Sequence, residues 1–191
     1  EITSSAVSSL LLAKEEPTGF SATSAQMLAT TPLCRALRHL NLRRNKLDQI
    51  PEVLFRCCAG LERLSLGGNR LLDISRCPWD RMVRLNELDL SACGLRNIPD
   101  VFHELPVLYV LDISNNDLVA LPITLSLSRS LKALRIEGNP IRSIRHDVLR
   151  GGTDRLLQFL GNKFPEEQQI SVETARAARR STPPPPFRTP P

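Results

Sequence analysis

Asp89 and Asp112 are the residues of this chain that come nearest to a catalytic constellation, because two neighbouring carboxylates could divide the work of general acid and general base. The other candidates are poorer. His39, His103 and His146 fall at unrelated places in the sequence pattern set out below. Cys57 and Cys58 form a dipeptide rather than a spaced pair of metal ligands, and Cys34, Cys77 and Cys93 stand apart. The chain has no H-E-x-x-H, no phosphate-cradling glycine loop and no nucleophile elbow. The expectation is therefore no catalysis, no metal and no cofactor. What remains is a set of side chains suited to recognition: Arg38, His39, Arg43, Arg44, Arg63, Glu87, Asp89, Asp112 and Arg135, with Tyr109 as the one tyrosine.

These residues are carried by a repeat. Five segments fit L-x-x-L-x-L-x-x-N-x-L-x-x-I, starting at Leu37, Leu61, Leu85, Leu108 and Leu131, with spacings of 24, 24, 23 and 23 residues. The first runs Leu37, Leu40, Leu42, Asn45, Leu47, Ile50. Side chains alternate along a strand, so Leu40 and Leu42 face one side, and so do their counterparts in each repeat. The position-nine asparagine has an amide that can satisfy backbone groups where the chain leaves the strand, and Cys93 interrupts that column once. One such coil cannot bury its apolar face alone, so neighbours must stack as a parallel sheet with ~4.8 Å between strands. Prolines at 51, 99 and 122 end the strand side. Repeat two has Ser75 in that place, then Pro78 and Trp79, so its convex side should differ. Phe55 and Trp79 share a repeat position and should plug the convex core.

The five segments resemble leucine-rich repeats over Leu37 to about Arg150. That resemblance implies an α/β solenoid: a leucine-rich-repeat arc with short parallel strands on its concave face and an irregular or short helical convex side. Four units follow. Residues 1–36 read as an N-terminal cap, a degenerate repeat through Val7, Leu10, Leu12 and Phe20 with a loop over Ser21–Thr31. Residues 37–150 are the five repeats. Residues 151–170 hold a C-terminal capping helix, with Thr153 as N-cap and Leu156, Leu157 and Leu160 at helical spacing. Residues 171–191 read as an extended, proline-rich basic tail that carries a net +3 of the chain's +5. The stretch from Gly138 to Phe164, with Gly138-Asn139-Pro140, Val148-Leu149, Gly152-Thr153 and Leu156 to Leu160, is similar to the terminal-cap segment of the leucine-rich-repeat-containing protein 40 family, with Phe159 where that family places a tyrosine. This implies an intracellular, non-receptor repeat protein.

Function is expected on the concave face, whose charge is ordered along the arc. Repeat one is basic, repeats three and four are acidic, and repeat five is mixed. Asp89 and Asp112 should be lateral neighbours pointing to solvent, answered by Arg63, Arg135 or a partner's cation. A protein partner held there by a monomeric adaptor is the leading reading. The alternatives are an RNA- or ribonucleoprotein-associated factor using Arg38, Arg43, Arg44 and Arg63, and a structural subunit of a large assembly. Against RNA stand Glu87, Asp89 and Asp112 and the lack of stacking aromatics. Arg180, Pro183 and Pro186 fit an R-x-x-P-x-x-P pattern for an SH3-type partner. Hydrophobic residues are 41% of the chain and aromatics 4%, so the core must be aliphatic. No apolar run reaches the ~20 residues of a membrane span. Five cysteines at irregular spacing are not a disulfide framework, and leucine-rich repeats of extracellular type close their ends with cysteine clusters absent here. A reducing compartment, cytoplasmic or nuclear, is expected.

Overall fold

Each coil begins where the sequence pattern places a strand. The computed structural model describes residues 36–165 and 169–181. The expected N-terminal cap and the proline run with Pro183 and Pro186 lie outside them. Five three-residue strands form one parallel sheet in sequence order: β1 His39–Asn41, β2 Arg63–Ser65, β3 Glu87–Asp89, β4 Val110–Asp112 and β5 Ala133–Arg135. The central residues Leu40, Leu64, Leu88, Leu111 and Leu134 are in register and buried. Backbone bonds continue past each strand, as from Leu66 N–H to Asp89 O at 2.8 Å and Leu90 N–H to Asp112 O at 2.8 Å.

Two devices turn every coil. The residue just before position nine is left-handed each time: Arg44, Gly68, Ala92, Asn115 and Gly138, with φ of 56, 73, 52, 55 and 72°. For Arg44 and Ala92 that conformation costs on the order of 1–2 kcal/mol each. The stacked coil repays it through the second device, the asparagine column. Asn116 accepts from Cys93 N–H at 2.9 Å and Leu95 N–H at 3.0 Å, and donates to Leu90 O and Ile113 O at 2.9 Å each. Asn69 does the same between coils one and two, accepting from Asn45 and Leu47 N–H at 3.0 Å each. At the break, the Cys93 thiol donates to Leu66 O at 3.4 Å, and its burial raises its pKa.

The convex side is made of short turns opened by the expected prolines. Pro51 precedes helix α1, Glu52–Cys57, while Pro99 and Pro122 precede 3-10 turns Asp100–Glu104 and Ile123–Leu127. Repeat two departs as expected: Asp73 caps its own bend, accepting from Ser75 N–H and Oγ, and Pro78 opens the 3-10 turn Trp79–Arg81. Phe55 and Trp79 do plug the convex core, and Phe102 extends the column. Centroids lie 5.2 and 5.0 Å apart, edge to face, and the indole N–H donates to Ile74 O at 3.0 Å.

The C-terminal end closes differently from expectation in two respects. After the short helix α2, His146–Leu149, helix α3 spans Thr153–Gly161 and buries Leu156, Leu157 and Leu160. Gly152, at φ 83°, occupies the N-cap position, with no side-chain cap. Thr153 instead turns its hydroxyl to the open sheet edge, accepting from Leu134 N–H at 2.9 Å. Among the described residues no sixth strand meets this donor, and the Thr153 hydroxyl satisfies it. Helix α4, Gln169–Ser181, runs through the first half of the expected extended tail and places Arg180 in its last turn rather than in polyproline form. Its buried stripe is Val172, Ala175 and Arg179. Gly161 lets the helices approach, since a Cβ there would lie 2.5 Å from Val172 Cγ1. The Arg179 guanidinium donates to Ser126 O at 2.7 Å and to Ser128 O. Burial lowers its pKa, and the two carbonyls offset the lost water.

Leu88 sits at the centre of the stack and is fully buried. Leu88→Asp is expected to abolish cooperative unfolding, because an unpaired carboxylate there costs upward of about 4 kcal/mol. A melting curve followed by circular dichroism that matched the parent would contradict the register.

Candidate functional site

Alternate residues of each strand leave the core and build the concave face. One column reads His39, Arg63, Glu87, Val110 and Ala133, and the next reads Asn41, Ser65, Asp89, Asp112 and Arg135. Every recognition residue expected from the sequence lies on or beside these columns, and Asp89 and Asp112 are register neighbours.

The two aspartates are not open to solvent as expected. Asp89 Oδ1 accepts from Ser91 N–H at 3.0 Å and Ser91 Oγ at 2.7 Å, while Oδ2 meets Arg43 Nε at 3.3 Å. Asp112 repeats the arrangement with Ser114 N–H at 3.1 Å and Ser114 Oγ at 2.7 Å, and Oδ2 meets Arg135 Nη1 at 3.2 Å. Their side chains are only 12% and 16% exposed. Each carboxylate therefore closes its own turn and already has a cation. Arg135 answers Asp112 as expected. Asp89 is answered by Arg43 and not by Arg63.

Arg43 reaches Asp89 across an intervening coil, and Gly67 clears the way. A Cβ at Gly67 would lie 2.6 Å from Ser91 Oγ and 3.0 Å from Asp89 Oδ1. The same guanidinium donates to Ser91 Oγ at 3.4 Å. The place of Gly67 on the concave face follows from the repeat, but its role does not; a glycine between charged coils was the available signal.

The remaining residues sort into two groups. Arg38 pairs with Glu62 at 3.5 Å. Arg63 Nη2 lies 3.0 Å from His39 Nδ1, and Arg44 is exposed with its stem over Gly68. Glu87 and Tyr109 are partly exposed and have no side-chain hydrogen bond or ion pair among the described residues. Beside Tyr109, Val110 and Ala133 are partly exposed and give the face its apolar end. The three histidines stay in separate coils, and among the described residues no group of three His, Cys, Asp or Glu could hold a metal. Burial pushes the Cys77 thiol up to about 11, far from a reactive thiolate. No helix among the described residues is long and apolar enough to cross a membrane.

Known proteins share this pattern. The family described as leucine rich repeat matches residues 33–71 and 83–141, together just over half of the chain. A Roc-COR-CHAT protease from an unknown prokaryotic organism is 34% identical over 124 residues, 65% of this chain and 11% of the relative. Chaoptin of Drosophila melanogaster is 29% identical over 145 residues, 64% of this chain and 11% of the relative. The chain thus spans about a tenth of either protein. A leucine-rich-repeat protein of Leptospira interrogans superposes with a TM-score of 0.42 at 24% identity, covering 62% of this chain and 34% of that one.

Asp89 and Glu87 lie on one strand but differ in their surroundings, and that difference is measurable. Asp89→Ala strands Arg43 and removes the acceptor of two Ser91 donors, which should cost about 1–3 kcal/mol. Glu87→Ala should stay within about 0.5 kcal/mol of the parent. Urea denaturation midpoints compare them, and equal midpoints would contradict a structural role for Asp89.

Proposed function

The chain belongs to the leucine-rich-repeat family, and on that premise we propose that it is a non-enzymatic adaptor holding a protein partner on its concave face. Repeats of this family generally mediate protein–protein interaction. The observation that carries the reading is the composition of the face: after the internal pairs are formed, Arg63, Glu87, Tyr109, Val110 and Ala133 remain presented side by side on a rigid sheet. Tyr109 is the anchor, since a large amphipathic ring loses little entropy on binding. Arg38, Arg43, Asp89, Asp112 and Arg135 shape the face and set its local field, and their charges act mainly on association rate and salt dependence.

The resemblance of residues 138–164 to the cap of the leucine-rich-repeat-containing protein 40 family supports a cytoplasmic or nuclear setting. Glu87, a carboxylate of this face in no ion pair among the described residues, disfavours a nucleic acid on this surface.

The test uses a partner captured by crosslinking and compared on defined variants. Tyr109→Ala should accelerate dissociation, with a loss on the order of 2 kcal/mol. Ala133→Arg, which fills the apolar end of the face, should abolish binding while the melting curve is kept. Binding that survives both changes and is lost on deleting residues 182–191 would overturn the proposal. The recognition element would then be the proline run, through Pro183 and Pro186 with Arg180, for an SH3-type partner.

A further inference from the structure

The unspent chemistry of the concave face has an order. Along the column from β2 to β5 stand a guanidinium, a carboxylate and two apolar side chains: Arg63, Glu87, Val110 and Ala133. Arg63 and Glu87 are register neighbours, yet among the described residues no ion pair joins them. Arg63 turns instead toward His39, with Nη2 3.0 Å from Nδ1. The imidazole brings no negative charge to this contact, so among the described residues no carboxylate pairs with the Arg63 guanidinium. The opposite situation holds one column over, where Arg43 and Arg135 are each neutralised by an aspartate.

We infer that the face selects an extended peptide segment that sets a carboxylate on Arg63 and a large apolar side chain on Val110 and Ala133. This inference rests on the concave-face reading above and adds the partner's chemistry and direction. The segment lies across the strands, so its geometry follows from the sheet. Strands ~4.8 Å apart put Arg63 about 10 Å from Val110 and about 14 Å from Ala133. An extended chain rising ~3.3 Å per residue covers that span in three or four residues. The acidic and apolar residues of the partner are therefore separated by about that many positions. Glu87 stands between the two contacts and repels a second acidic residue there. A uniformly acidic chain, or the regular phosphates of a nucleic acid, does not fit.

The direction reverses the simplest electrostatic expectation. Counting residues alone, Asp89 and Asp112 invite a cationic partner. With both carboxylates spent on Ser91, Ser114, Arg43 and Arg135, the cation left in this column without a carboxylate is Arg63.

A display library of random linear 12-residue peptides, selected on the full chain, tests this. The expected enrichment is an acidic residue three or four positions from a large apolar one. Arg63→Glu should weaken such a peptide by about tenfold or more, and changing the peptide's acid to Lys should restore part of the loss on that variant. Tyr109→Ala and Ala133→Arg should weaken it independently. Enriched peptides that are blocked by Ala133→Arg but are basic, or are indifferent to Arg63→Glu, overturn this inference and leave the concave-face reading standing. Peptides that bind Ala133→Arg as they bind the parent overturn the reading itself. Binding of a polyuridylate oligomer in place of any peptide, or no enrichment at all, overturns both.

Discussion

No coil of this protein can satisfy itself. A strand of three residues pairs only with its neighbours, and a leucine such as Leu88 is buried only because coils stand on both sides. The bend after each strand frees backbone donors and acceptors that water cannot reach, and an unpaired one costs about 1–3 kcal/mol. Asn69 and Asn116 meet that need from the next coil, so the amide that closes one turn belongs to another. The left-handed residue before each position nine, including Arg44 and Ala92, is held against its own preference by the same stacking. Interfaces between repeats are thus the source of stability, as expected for a quasi-one-dimensional solenoid. The last coil needs a substitute neighbour, which Thr153 and the buried leucines of α3 supply.

The recognition surface is a consequence of that constraint. Since Leu40 and its counterparts are committed to the core, the alternate residues are committed to the concave side, at fixed spacing. The sheet could then use charge in two ways. Asp89 and Asp112 are drawn into turn closure with Ser91 and Ser114, and Arg43 and Arg135 neutralise them. Arg63, Glu87 and the Tyr109–Val110–Ala133 end are left over. A face that spends part of its charge internally leaves specificity to the order of the groups that stay unmatched.

The core was legible because leucine periodicity reports burial directly. Strand positions, the asparagine column, the proline-opened convex turns and the Phe55–Trp79 contact all followed from spacing. Phe102 was legible too, since it shares their repeat position, but its shift to a 23-residue repeat hid it. Helix α4 was not read because its buried stripe is one valine, one alanine and one arginine. Arg179 enters the interior only by virtue of carbonyls at Ser126 and Ser128 that sequence spacing does not reveal. The helix-favouring run from Glu173 to Arg180 was the overlooked cue. Side-chain pairing on the face was the least legible part. Arg43 and Ser91 are 48 positions apart and meet across a coil that Gly67 leaves open.

Neighbouring coils satisfy each other's bends, and amide hydrogen exchange reads this residue by residue. Asn116 alone accepts from both Cys93 and Leu95 N–H in the bend of coil three. Asn116→Ala should therefore speed exchange at those two amides by about tenfold or more, the equivalent of one buried acceptor lost. Leu66 N–H, which is bonded to Asp89 O, should stay protected while the protein remains folded. Unchanged protection of Cys93 and Leu95 in the folded variant would contradict the claim that the asparagine column holds the coils together.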